Sequence, residues 1–194
     1  FQNAAEEYGI PKTNDFNTGD NTGIGFFQFT TSFNKPGLKL RCSAAKGYLN
    51  PAKKRSNLKI VVNAHVQKIN FEGKKAIGAS YYNGDKLIEV KANKEVILSS
   101  GAIGSPHILQ VSGIGNNEKL KKLGIDIVHE SNGVGLNLQD HLMFRPVYKV
   151  KNLKSLNSKV ESIFGRFMMG LEYILNQSGP VTMGASQVCG FVKS

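Results

Sequence analysis

The sequence predicts an α/β fold with an α+β portion toward its C-terminal end, and three observations carry that expectation. The first is a β-meander. NLKIVVNAHVQKINFEG (57–73), KAIGASYYNG (75–84) and KLIEVKANKEVILSS (86–100) are β-rich runs parted by Gly73 and by Asn83-Gly84, a pair suited to a tight hairpin turn. The second is a handover from strand to helix inside EVILSSGAIGSPHILQVSGIG (95–115), where an apolar run stops at Ser99, Ser100, Gly101, Ala102 and Gly104. The third is the helical spacing of apolar residues from 155 to 175, beginning with Leu156, Val160, Ile163 and Phe164.

Taken in order, residues 1–8 read as the end of a helix, with Gly9 as its stop and Pro11 beyond it. The stretch 12–25 is turn-forming and polar, and FFQFTTSF (26–33) is aromatic and β-branched, hence strand-like. After Pro36-Gly37, Ser43 is placed to cap a short helix through Leu49 that Pro51 ends. Beyond the meander, residues 94–100 are expected to enter a parallel sheet. A helix follows over 106–111, opened by Ser105 as cap and Pro106 at the first helical position. A second helix covers 117–123, with Glu118 four residues before Lys122 and Gly124 as its stop. IDIVHE (125–130) reads as a strand, GVGLNLQDH (133–141) as a Gly-punctuated loop, and the stripe over 155–175 as core-facing.

Composition narrows the function classes. Hydrophobic residues make up 40% of the chain, which argues against disorder. No apolar run approaches the roughly 18 residues of a membrane span. The first residues lack the basic start and apolar centre of a signal peptide. Cys42 and Cys189 lie far apart without partners at metal spacing, so neither a disulfide scaffold nor a metal site is expected. The net charge of +11 raises nucleic-acid binding. The lysines are spread rather than gathered into a patch with aromatics, so that binding is not expected. The chain lacks an initiating Met and stops just after a strand-like run, and it is expected to be incomplete at both ends.

A buried strand that ends in small residues and leads into a helix is the geometry of an open α/β sheet, whose ligands sit beyond the strand ends. Small residues let a ligand, or another strand–helix unit, approach the backbone closely. The physics leaves both open: a cofactor-side strand end, or tight packing alone.

The run Gly101 to Gly115, GAIGSPHILQVSGIG, resembles the second signature of the glucose–methanol–choline (GMC) oxidoreductases, flavoenzymes that oxidise alcohols. DFNTGDNTGIGFFQFT (15–30), RCSAAKGYLNPAKKRSNLKIV (41–61), KAIGASY (75–81), KEVILSSGA (94–102) and NGVGLNLQDHL (132–142) follow the family's blocks in its order. The alcohol- and choline-oxidising members are the nearest in character. The family's amino-terminal dinucleotide fingerprint has no counterpart here, nor has its carboxy-terminal catalytic segment. The resemblance therefore implies the central portion of a GMC-type FAD-binding fold. It also implies three regions: 1–35 as linker and edge of the substrate domain, 36–145 as the middle of the FAD-binding domain, and 146–194 as the start of the substrate-binding domain.

The same resemblance implies site residues. Val66 takes the position of a strand end against the adenine of FAD, and Gly101 and Ala102 lie near the adenosine-diphosphate half. Arg41 and Ser43 match the family's Arg-x-Ser and order the cofactor side, and Asn137 stands in a structural loop near the cofactor. Asp140-His141 invites a catalytic dyad on chemistry alone. The resemblance instead puts the catalytic histidine beyond Ser194, leaving no catalytic residue and no metal ligand in this chain. His65 and His107 lack carboxylate or Cys partners at useful spacing, and His129 is expected to be exposed.

Gln187 aligns where choline-oxidising relatives carry a glutamate that meets the quaternary ammonium. An uncharged amide there implies a neutral primary alcohol as substrate. The implied reaction moves a hydride from the alcohol's CH–OH carbon to flavin N5, with electrons passed on to an external acceptor, a quinone or oxygen. Choline dehydrogenase and alcohol oxidase are the alternatives within the family. An inactive truncated product or a β-rich binding module is the alternative outside it. The expected setting is the cytoplasm, or the periphery of the inner membrane.

Overall fold

A computed structural model describes residues 1–33, 39–152, 155–184 and 186–193. The chain forms two compact units, Lys59–Val147 and Phe1–Leu58 with Tyr148–Ser194.

The unit Lys59–Val147 is built on a three-stranded antiparallel meander, β4 (Ala64–Glu72), β5 (Lys75–Asn83) and β6 (Lys86–Lys91). Both connections are two-residue loops that open on a glycine, Gly73 at φ +58° and Gly84 at φ +59°. The backbone twist of such short loops calls for a left-handed residue, which glycine supplies without strain. Asn83 therefore belongs to the strand, paired with Lys86, and the loop itself is Gly84-Asp85. Register shifts fall between Val66 and Lys68 and between Asn70 and Phe71, bending the β4–β5 ribbon. Ser80, buried within it, donates to Asn70 Oδ1 at 2.8 Å.

After β6 come α3 (Gly101–Val111), β7 (Ile114–Gly115), α4 (Asn117–Lys122) and β8 (His129–Glu130). The helix α3 is tied to β4 by Ser112, whose Oγ accepts from Ile69 N at 2.8 Å and donates to Ile108 O at 2.5 Å. The strands β7 and β8 pair in parallel across the α4 crossover. Asn116 caps α4 by accepting from Lys119 N at 3.0 Å, and Gly124 ends it at φ +69°. Leu120 of α4 is fully buried and, with Ile69, is the buried apolar core of this unit among the described residues.

Two expectations are corrected here. Among the described residues no strand forms over 57–63 or 94–100, and Ile97 is 77% exposed. A β-run becomes a strand only when a neighbour takes up its ladder bonds, and the meander closes on itself between 64 and 91. Helix α3 also begins five residues before the expected start, so Ser105 and Pro106 lie inside it. Ser105 Oγ reaches back and accepts from Ser100 N at 2.9 Å, outside the helix start. Pro106 is the sixth residue of α3, past the first turn, so its missing N–H takes one i→i−4 bond, to the Ala102 carbonyl, from the helix.

The other unit pairs β1 (Gly23–Phe26) with β9 (Val188–Phe191), and β2 (Thr31–Phe33) with β3 (Lys39–Arg41), both antiparallel. The expected strand over 26–33 is thus broken between Phe26 and Thr31. Helix α1 (Gln2–Glu7) precedes Gly9 at φ +93°. After β3, a π-helical turn (Ala45–Leu49) continues into α2 (Asn50–Ala52), and Pro51 sits in that last turn instead of ending it earlier. The expected helix over 155–175 is two helices, α5 (Leu156–Glu161) and α6 (Ile163–Asn176). Ser162 makes the break, its Oγ accepting from Gly165 N at 3.3 Å. Only Met169 of α6 is buried, while Ile163, Phe164, Phe167 and Ile174 are exposed. The stripe read as core-facing is uncovered here, because the periodicity that marks an apolar face does not say what lies against it.

Candidate functional site

Sequence-predicted positions fall in both units. In Lys59–Val147, Gly101 opens α3 at φ +83°, and a Cβ built on it would meet nothing within 4 Å. Gly101 and Ala102 are exposed, and Ile103 is 74% exposed. The small residues at this handover therefore leave open space beside the backbone. That holds at Gly101, whereas Gly104 sits against Ser100 Cβ, 3.1 Å from its own would-be Cβ. The N-cap Ser100 makes no side-chain bond to the helix, so the first N–H groups of this eleven-residue helix are free of a side-chain cap.

Val66 lies in β4 opposite Tyr81, next to the register shift, with its side chain exposed. Asn137 adopts a left-handed φ of +56° at the end of a loop seated on α3. Gln110 Nε2 donates to Val134 O at 3.1 Å, and a side chain at Gly135 would run into that same Gln110 amide. Asp140 Oδ1 accepts from the backbone N–H of His141 at 2.8 Å, so the carboxylate serves the main chain.

In the other unit a cleft of about 1270 Å³ is lined by Gln28, Phe29, Arg41, Ser43, Tyr173 and Met183, among others. It brings Arg41 and Ser43 together. Ser43 Oγ also accepts from Lys46 N at 3.3 Å, as expected of a cap. Gln187 does not line the cleft itself. Its backbone carbonyl accepts from Phe27 N at 3.0 Å, and its side-chain amide rests on the sulfur of Met183, which does. Sequence reasoning passed over Gln28, Phe29, Cys42 and Met183 as cleft residues. A glutamine set between Phe27 and Phe29 in an otherwise apolar run was the available signal.

The polar loop 13–22 braces one edge of this unit. Asp15 Oδ1 accepts from Asn17 N and from Gln28 Nε2, both at 2.8 Å. Those bonds, the backbone one first, hold the Asp15 carboxyl below its ordinary value. The backbone N–H of Thr22 does the same for Asp20. Phe16 packs edge-on against Phe191, with ring centroids 5.3 Å apart.

A family model described as GMC oxidoreductase matches residues 1–143. The chain belongs to the GMC oxidoreductase family. An oxygen-dependent choline dehydrogenase of Chromohalobacter salexigens is 40% identical over 195 residues, covering all of this chain and 34% of that protein. Another, from Pectobacterium atrosepticum, is 39% identical over 98% of this chain and 33% of its own length. Among solved structures, an FAD-dependent oxidoreductase from Chaetomium thermophilum superposes with a TM-score of 0.81 at 29% identity, over 97% of this chain and 33% of that one. A fungal aryl-alcohol oxidase shares the fold with a TM-score of 0.74 at 23% identity, over 96% of this chain and 32% of that one. The chain thus spans about a third of the length of the curated relatives it matches.

The mixed α/β fold is that of the GMC FAD-binding domain, and FAD is its cofactor. The residues present fit that group on their own geometry. Gly101 offers open backbone at the start of an eleven-residue helix, where peptide dipoles and free N–H groups favour a phosphate. Among the described residues no cluster of His, Cys, Asp and Glu is arranged to hold a metal ion, and no helix is long and apolar enough to cross a membrane.

Proposed function

We propose that this chain is the middle of an FAD-dependent enzyme that oxidises the CH–OH group of a neutral primary alcohol. In that reading, residues 36–145 belong to the FAD-binding domain, 1–35 to a linker at the substrate domain's edge, and 146–194 to the start of the substrate domain. When bound, FAD supplies the hydride acceptor at N5 and hands the electrons to a quinone or to oxygen. Gly101 and Ala102 admit the diphosphate side close to the backbone of α3. The exposed Val66 side chain flanks the adenine, and the Asn137 loop, anchored on α3 through Gln110, supports the same side. Arg41 and Ser43 order the rim of the cleft near Gln187. The reaction is set in the cytoplasm or at the periphery of the inner membrane.

The observation that carries the reading is Gly101, left-handed and with nothing within 4 Å of its would-be Cβ. The test is direct. Full-length protein purified without added cofactor shows flavin absorption, and a neutral primary alcohol bleaches it anaerobically. Full-length protein that folds without flavin overturns the reading.

A second substrate reading, choline, is favoured by the names of the most similar relatives. Gln187 argues for the neutral alcohol. Loss of a charged partner for a poorly hydrated cation typically costs roughly 2–5 kcal/mol. The enzyme is therefore expected to prefer neutral primary alcohols, and Gln187→Glu to narrow the gap. Steady-state kinetics on choline and a series of neutral alcohols decides it. A wild-type kcat/KM for choline above that for every neutral alcohol tried rejects the preference.

A further inference from the structure

The cleft of the unit containing Arg41 carries one amide whose orientation is fixed from two sides. Gln28 lines the cleft beside Phe29, Arg41 and Met183. Its Nε2 donates to Asp15 Oδ1 at 2.8 Å, and its Oε1 accepts from Asn17 Nδ2. A carboxylate only accepts and an amide NH₂ only donates, so these two neighbours admit a single orientation of the Gln28 amide. Asp15 is itself held. It accepts the Asn17 backbone N–H at 2.8 Å, and its own N–H and carbonyl both bond to Thr13 Oγ1, at 3.3 and 3.0 Å.

A side-chain amide has two donor hydrogens and two acceptor lone pairs. Asp15 takes one hydrogen and Asn17 one lone pair, which leaves one of each. Either of these can bond to a hydroxyl group, which both donates and accepts. They give no charge attraction to a cation. The remaining cleft lining agrees, since it includes the Arg41 guanidinium and no carboxylate among the described residues. We propose that Gln28, oriented by Asp15 and Asn17, is a specificity-determining residue that binds a second hydroxyl of a neutral alcohol in this cleft. Asp15 and Asn17 act through it as positioning residues. The inference rests on the alcohol-oxidising reading above and names the kind of alcohol.

The experiment compares 1,4-butanediol with 1-pentanol on the full-length, flavin-loaded enzyme. One hydrogen bond lost at the distal hydroxyl corresponds to about a 3- to 10-fold change in affinity. Gln28→Met is expected to lower kcat/KM for the diol by about 3- to 10-fold through KM, leaving kcat and the monoalcohol values within about 2-fold. Gln28→Asn keeps the amide but withdraws it by one methylene, and moves the diol the same way. Asp15→Asn lets the Gln28 amide turn over, and raises the diol KM by less. A diol-to-monoalcohol ratio unchanged in the Gln28 variants, with bound flavin still reduced by both alcohols, overturns the role of Gln28 alone. An equal loss in kcat for both alcohols shows a structural role and also overturns it. Failure of either alcohol to reduce the wild-type flavin overturns the alcohol-oxidising reading and this inference with it.

Discussion

At the scale of single residues, the open left-handed turn at Gly101 separates a packing role from a ligand role. Were it there for packing, a Cβ would strike a neighbour, as it would at Gly113, where the Asp126 carbonyl stands in the way. Nothing stands near Gly101, yet its φ of +83° disfavours any side chain. Gly101→Val therefore introduces backbone strain of about 1–2 kcal/mol, together with a branched side chain in the open space. The full-length variant is expected to fold and to lose most of its flavin, read as the ratio of visible to ultraviolet absorbance after purification. Full flavin occupancy in Gly101→Val would remove this turn from the cofactor site. Asp140 and His141 teach the opposite lesson. Their adjacency in sequence suggests proton transfer, whereas the bond the structure shows between them joins Asp140 Oδ1 to the backbone N–H of His141.

At the scale of elements, legibility followed the range of the interactions. Helix α4 was readable because its signals are local: Glu118 and Lys122 one turn apart, and Gly124 as stop. The β5–β6 hairpin was readable for the same reason, through Gly84. The start of α3 was not, because Ser105 and Pro106 have the composition of a first turn while Gly101 fixes the actual one. The run 94–100 was misread because strand formation depends on a neighbour that local composition cannot supply. The Ser112 link between α3 and β4 is likewise invisible in sequence, since it joins residues 43 apart. Ser112→Ala leaves the buried Ile69 N–H without its acceptor, a cost of about 1–3 kcal/mol. That corresponds to roughly 5- to 150-fold faster exchange of the Ile69 amide if it exchanges through local opening. Amide exchange by mass spectrometry on the full-length protein checks this, with the exposed Ser158→Ala as a neutral comparison. Unchanged exchange at Ile69 would mean that the hydroxyl contributes nothing to the α3–β4 contact.

At the scale of the whole molecule, the balance between buried and exposed apolar surface decides what this stretch does by itself. Among the described residues, the buried apolar side chains are Ile24, Ile69, Leu120 and Met169. Leu142, Phe144, Val147, Ile163 and Phe164 are all largely exposed. At about 25 cal/mol per Å² of apolar area, surface left in water contributes nothing against the conformational entropy of ordering the chain. The 194 residues expressed alone are therefore expected to bind a hydrophobic dye, to show far-UV without near-UV circular dichroism, and to take up no FAD. The full-length protein is expected to unfold cooperatively, at a temperature that rises with added FAD, because a ligand that binds only the folded state stabilises it by mass action. Dye fluorescence, circular dichroism and FAD titration on both proteins test this together. A cooperatively unfolding 194-residue monomer that binds FAD tightly would show that these two units bury enough surface to stand alone, and that the exposed faces of α3 and α6 serve something other than the rest of a GMC enzyme.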